Sequence, residues 1–190
     1  MVTKERVDLA EAMVRSKRFA GLNLSDYCSV LDKGVEKQFA AMIFSLPELD
    51  YQQIVFRGTD DSVIGWKEDF QLTYSREIPA HRSAIAFLEK HLPNLSGHIA
   101  VSGHSKGGNL ALYSAVQSST VLREQIAELL LLDSPGLMKS LLEKPSYQEL
   151  KAKMTVVRPQ ESVVGVMLYW DKAAKLVASD GIGIAQHNVL

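Results

Sequence analysis

Cysteine is almost absent: Cys28 stands alone among 190 residues, so no intramolecular disulfide can form, which suits a reducing compartment. An excess of either charge is also missing. Lys and Arg number 21 against 22 Asp and Glu, for a net charge of -1. That balance gives no electrostatic case for a nucleic-acid partner or an anionic membrane. No segment approaches the roughly 18 consecutive apolar residues that a membrane helix needs. The opening "MVTKERVDLAEAMVRSKRF" mixes charges throughout and lacks the apolar core of a signal peptide. The default location is therefore the cytoplasm. Repeats, low-complexity tracts and Pro/Gly/Ser linkers are missing as well, so no domain boundary is placed. Residues 1–190 read as a single domain, with an absent upstream segment left open.

What is present is ordinary for a globular chain. Hydrophobic residues make up 46% and charged residues 23%, and the length suffices to bury one core. The stretch from Glu5 to Phe19 spaces Val7, Leu9, Ala10, Met13 and Val14 like a helix with one apolar face. Phe39 to Phe44 and Gln53 to Phe56 read as strands joined through "LPELDY", a hairpin. Pro79 to Leu92 reads as a helix, with Ala84, Ile85, Leu88 and Leu92 on one side. Then come strand "HIAVSG", a helix from Lys106 to about Gln117, strand "ELLLLD", a mostly helical Gly136 to Met154, and strand "MTVVRP". A last strand is expected in "AAKLVAS", before "DGIGIAQHNVL". Strands alternating with helices after a hairpin predict an α/β fold with a mostly parallel central sheet and helices on both faces. Sites in such sheets lie at the carboxyl ends of strands, where Thr59, Ser105 and Asp133 fall.

The stretch "AVSGHSKGGNLALYSAV" places Ser105 between Gly103 and Gly107, where a strand turns into a helix. This is the G-x-S-x-G pattern of a nucleophile elbow. The spacing has a steric reason: glycines on either side let neighbouring backbone pass without Cβ clashes while the serine occupies a strained turn. The helix that follows offers unpaired N–H groups to a developing negative charge, and Gly108 adds room for that helix against the strand. A phosphate loop is excluded, because the order G-K-[ST] is absent.

A serine nucleophile needs a base. Of the five histidines, His81 and His91 belong to the expected helix or its end, on a solvated face. His98 opens a strand, away from the site. His104 adjoins Ser105, but a sharp elbow points its side chain elsewhere. His187 remains, and the order Ser, acid, His is that of α/β-hydrolases. Two acids stand at strand ends to orient it. Asp133 is preferred, because it is short, stands on a stiff support and ends an apolar run; Glu161 is the alternative. Asp60, Asp61, Glu68, Asp69 and Asp180 are weaker choices, most of them preceding the serine or lying in loops.

Oxyanion donors are expected from the backbone N–H of Lys106 and from "VFRGTDD" at Thr59. The Lys106 side chain is expected in solvent, with an anionic substrate group as its other possible partner. Trp66 and His104 are the candidate substrate contacts. Val63, Ile64 and Phe70, together with Val163 to Trp170, either wall an acyl pocket or pack beneath the loops.

Taken together, "IVFRGTDDSVIGWKEDF", "VSGHSKGGNLALYSAV", "LLDSPGL", "PQESVVGVML" and "GIAQH" resemble the Mbeg-like hydrolase-fold family, bacterial domains related to the fungal-type (class 3) lipases. The resemblance runs from about Ser16 to His187. It implies an α/β-hydrolase fold and a serine esterase or lipase, with Ser105 as nucleophile, Thr59 at the oxyanion position and His187 as base. For the acid it divides: the fungal-type pattern aligns near Glu161, the pancreatic-type pattern with Asp133. The expected partner is a small-molecule ester or lipid-like substrate, and the chemistry calls for no metal or organic cofactor. Two other readings stay open: a hydrolase-fold protein that binds without turnover, and a thioesterase or acyltransferase using the same three side chains.

Overall fold

A computed structural model of the chain describes residues 4–60 and 62–188; Asp61, one of the weaker acid candidates, lies outside them. In chain order the elements are helix α1 (Lys4–Arg15), strands β1 (Asn23–Asp32), β2 (Lys37–Leu46) and β3 (Tyr51–Phe56), then helices α2 (Val63–Leu72) and α3 (Pro79–His91). Strand β4 (His98–His104) leads into α4 (Lys106–Gln117) and the short α5 (Thr120–Gln125). Next come β5 (Glu128–Leu132), α6 (Lys139–Leu142), α7 (Pro145–Lys151), β6 (Met154–Pro159) and β7 (Lys175–Val177). A 3-10 turn over Gly183–His187 follows.

The seven strands form one sheet in strictly sequential order, β1 to β7. β1, β2 and β3 pair antiparallel, and β3 to β7 pair parallel. This is the α/β-hydrolase architecture with an antiparallel entry. Apolar side chains along one face of the strands are fully buried, among them Phe39, Ile54, Phe56, Val101, Leu129 and Val156. Helices α3 and α4 pack side by side and against the sheet. Every residue of α4 from Lys106 to Val116 is buried. Its small residues, Gly107, Gly108, Ala111, Ser114 and Ala115, permit that depth.

Several stretches differ from the sequence reading, helices α2 and α5 among them, where it placed no element. β1 was not expected. Its sequence "NLSDYCSVLD" lacks a buried face, only Cys28 being half-buried, and the pairing to β2 is broken by a bulge between Ser25 and Cys28 where Asp26 takes φ 53°. Such an edge strand carries little hydrophobic alternation to read. α1 stops at Arg15 rather than Phe19, because Ser16 caps a separate 3-10 turn by accepting from the Arg18 N–H. Its apolar side stays out of the core: no residue of α1 is buried, and Val14 is 80% exposed. The long helix expected over Gly136 to Met154 is split into α6 and α7, with Pro145 opening the second.

Candidate active site

The elbow begins with a constraint on glycine. A Cβ on Gly103 would stand 2.2 Å from the Gly107 carbonyl carbon, and one on Gly107 would stand 2.1 Å from the Phe56 carbonyl oxygen. Only glycine lets β4, α4 and the end of β3 approach so closely. Between them Ser105 is held at φ 59°, ψ -134°, a region that non-glycine residues rarely adopt. The Ser105 N–H donates to the Leu132 carbonyl at 3.0 Å, pinning the bend to the end of β5.

The Ser105 hydroxyl lies 2.8 Å from His187 Nε2, and His187 Nδ1 lies 2.6 Å from Asp133 Oδ2. Residues from the elbow, the turn after β5 and the 3-10 turn after β7 thus make one hydrogen-bonded chain. With a carboxylate at Nδ1, the ring proton belongs on that nitrogen, which leaves the Nε2 lone pair facing the hydroxyl. Asp133 is buried, at φ 39°, and its N–H donates to the Val157 carbonyl at 2.7 Å. Its other oxygen, Oδ1, accepts from the Ser162 hydroxyl at 2.5 Å and from the Gly165 N–H at 3.2 Å. Ser162 was not singled out in the sequence.

Glu161 does not enter this chain. It clasps the loop that carries His187: its Oε2 accepts from the Gly183 N–H at 2.9 Å, and its own N–H donates to Gln186 Oε1 at 2.9 Å. Gln186 is buried and also donates to the Gly181 carbonyl at 2.8 Å. The alternative acid and its neighbour therefore fix the approach of His187.

Beside the elbow, Gly58 passes so near that an added Cβ would sit 2.8 Å from the His104 carbonyl and 3.2 Å from Ser105 Cβ. This brings the Arg57–Thr59 turn up to the serine. The Thr59 hydroxyl donates to Asp69 Oδ1 at 2.7 Å, and burial raises the Asp69 carboxyl above its ordinary value against that bond. Trp66 is 59% exposed, and Val63 and Phe70 share its exposed side of α2. They do not pack beneath the loop. Val163, Val166 and Tyr169 are exposed as well.

The Lys106 side chain corrects the solvated expectation. It is buried, and its Nζ donates to Glu68 Oε2 at 2.8 Å, Gln38 Oε1 at 2.7 Å and the Gln38 carbonyl at 3.1 Å. Glu68 is equally buried and accepts further from the Gln38 and Ala80 N–H groups at 3.1 and 2.8 Å. A cation in the first turn of a helix opposes the helix dipole; that is the signal by which a buried acidic partner was to be sought.

His81 is a second correction. It is buried, not on a solvated face. Its Nδ1 accepts from the Ile78 N–H at 3.1 Å, so Nε2 carries the proton and donates to Asn109 Oδ1 at 2.7 Å. Asn109 in turn donates to the Gly136 carbonyl at 2.6 Å. The ring stacks on Tyr113 at 3.7 Å. Burial holds its pKa down to about 4, against the Asn109 bond. This brace ties α3 and α4 to the turn that follows Asp133. His104 is a third: its ring does not point away but lies on that of His187, with centroids 4.5 Å apart.

Comparison with solved structures places this geometry in a known fold. A lipase from Rhizopus microsporus var. chinensis superposes with a TM-score of 0.61 at 12% identity over 86% of this chain and 64% of its own. A fungal lipase in an inhibitor complex gives 0.51 at 17% identity, over 84% and 66%. A mutant form of MDLA from Penicillium cyclopium gives 0.60 at 17%, over 96% and 71%. The chain spans just under two thirds of the length of the first two lipases, and at these identities the likeness establishes a shared fold. No protein of curated function matches the sequence. The profile of one family matches residues 13–190, nearly the whole length, and the chain belongs to that family, the Mbeg1-like proteins.

Proposed function

We propose that the protein is a serine hydrolase that cleaves carboxylic esters of lipid-like substrates through an acyl-enzyme. The observation that carries the reading is the unbroken chain Ser105 Oγ, His187 Nε2, His187 Nδ1, Asp133 Oδ2, at 2.8 and 2.6 Å. His187 takes the Ser105 proton as the oxygen attacks the carbonyl carbon, and Asp133 steadies the imidazolium. The backbone N–H groups of Lys106 and Thr59 receive the oxyanion. The buried anchor of Lys106 and the Thr59–Asp69 bond fix those two donors in place. His187 then protonates the leaving alcohol, and a water activated by the same ring hydrolyses the acyl-enzyme. The exposed apolar side chains Val63, Trp66 and Phe70 on α2 suit an apolar acyl or alkyl group. In the described residues no helix is long and apolar enough to cross a membrane.

Labelling with a fluorophosphonate, followed by a panel of p-nitrophenyl esters and acyl-CoAs of graded chain length, tests the reading. Wild type is labelled, Ser105→Ala is not, and p-nitrophenyl esters are hydrolysed. Absence of Ser105-dependent labelling favours a binding protein; preference for acyl-CoA moves the reading to a thioesterase.

A further inference from the structure

His104 has a feature that the proposed chemistry leaves unused. Its ring lies against His187 with the two planes 30° apart, and its Nε2 is buried without a hydrogen-bond partner. A buried, unpaired ring nitrogen costs free energy and calls for an explanation.

Among the described residues, His104, Asp133 and His187 offer one ligand atom each, all within 4.8 Å of one another. Two imidazoles and a carboxylate, with water in a fourth position, are a donor set suited to Zn²⁺. We propose that these three side chains form an inhibitory Zn²⁺ site laid over the serine. Zinc bonds to nitrogen and oxygen run about 2.0–2.2 Å, so the three atoms must draw in around the ion.

Either ring nitrogen gives the same outcome. Zinc on Nε2 occupies the lone pair that accepts the Ser105 proton. Zinc on Nδ1 displaces the proton to Nε2, which then donates rather than accepts. In both cases the base is lost until the metal leaves. Mg²⁺ and Ca²⁺, which favour all-oxygen sets, do not substitute. Metal binding follows from the three side chains alone; its inhibitory effect rests on the proposed role of Ser105.

The test uses tag-free protein. Ser105→Ala is titrated with Zn²⁺ in competition with a chromophoric chelator, with Mg²⁺ as control. One Zn²⁺ binds per chain. His104→Phe in the same background keeps a ring in the stack without a nitrogen and weakens binding by about tenfold or more. His104→Asn and a thermal melt of each variant separate loss of the ligand from loss of the fold. With Ser105 intact, Zn²⁺ slows fluorophosphonate labelling and EDTA restores it. Absence of stoichiometric binding, or folded His104 variants that bind Zn²⁺ as tightly as Ser105→Ala, overturns the site. Failure of labelling even in EDTA overturns the hydrolase reading instead, and the chelator titration still decides the metal site.

Discussion

Lys106 Nζ and Glu68 Oε2 meet 2.8 Å apart with side chains 1% and 0% exposed. Such a pair is tolerable only because the remaining donors and acceptors are met by Gln38 and Ala80. It joins the residue after Ser105 to α2 and β2, across 38 positions of sequence.

Breaking this pair from one side strands a buried charge. Glu68→Gln and Lys106→Met are each expected to cost about 3–5 kcal/mol. The double variant loses much less than the sum, because neither charge is left behind. Urea denaturation of the two single variants and the double variant reads the coupling; simple additivity would refute it.

The acid is discriminated by substitution at two positions. Asp133→Asn is expected to lower the rate of fluorophosphonate labelling by roughly 10³–10⁴, since the amide favours the wrong tautomer of His187. Glu161→Gln retains a carbonyl to accept from the Gly183 N–H and stays within about tenfold of wild type. The reverse ranking would transfer the orienting role to Glu161.

Acid lability is expected from His81. Its pKa is near 4 in the fold against 6.5 unfolded, so between those values the unfolded chain binds more protons than the folded one. Stability is complete above about pH 6.5, drains away as pH falls toward 4, and levels off below. The loss is on the order of 3 kcal/mol. His81→Asn is less stable at neutral pH and has a flatter profile between pH 6.5 and 4. Chemical denaturation across that range checks the slope.

Strain at Ser105 gives a fourth expectation. Ser105 sits at φ 59°, where glycine bears no penalty. Ser105→Gly is expected to melt above Ser105→Ala, by an equivalent of about 1–3 kcal/mol. Equal melting temperatures would show that the bend is unstrained.

Much of the site could be read from residue order. Gly103, Ser105 and Gly107 stand out by their spacing where a strand turns into a helix, although the contact that confines Gly107 is with the remote Phe56 carbonyl, and Asp133 betrays itself by ending an apolar strand. The parallel strands were legible as short apolar runs bounded by turns: "HIAVSG" is buried on both sides, and "ELLLLD" buries Leu129 and Leu131 on one side while Leu132 is exposed. What escaped notice depends on contacts remote in sequence. Lys106, Glu68 and Gln38 each look like surface residues alone, and only the fold brings them into one pocket. His81 occupies a helix whose polar side is turned onto Tyr113 and Asn109, a placement that periodicity cannot reveal. Ser162 gains its meaning from the return of the chain past Asp133. β1 was missed because an edge strand exposed on both faces leaves no alternation behind.

The sequential strand order carries a consequence for biosynthesis. Each new strand docks beside the one made just before it, so the barrier to closing each pairing stays low as the polypeptide emerges. The candidate site follows a different timetable, because His187 lies 82 residues beyond Ser105 and 54 beyond Asp133. A ribosome-bound chain can thus assemble most of its scaffold before His187 reaches Ser105. If the proposed chemistry holds, competence arrives only after the architecture that supports it.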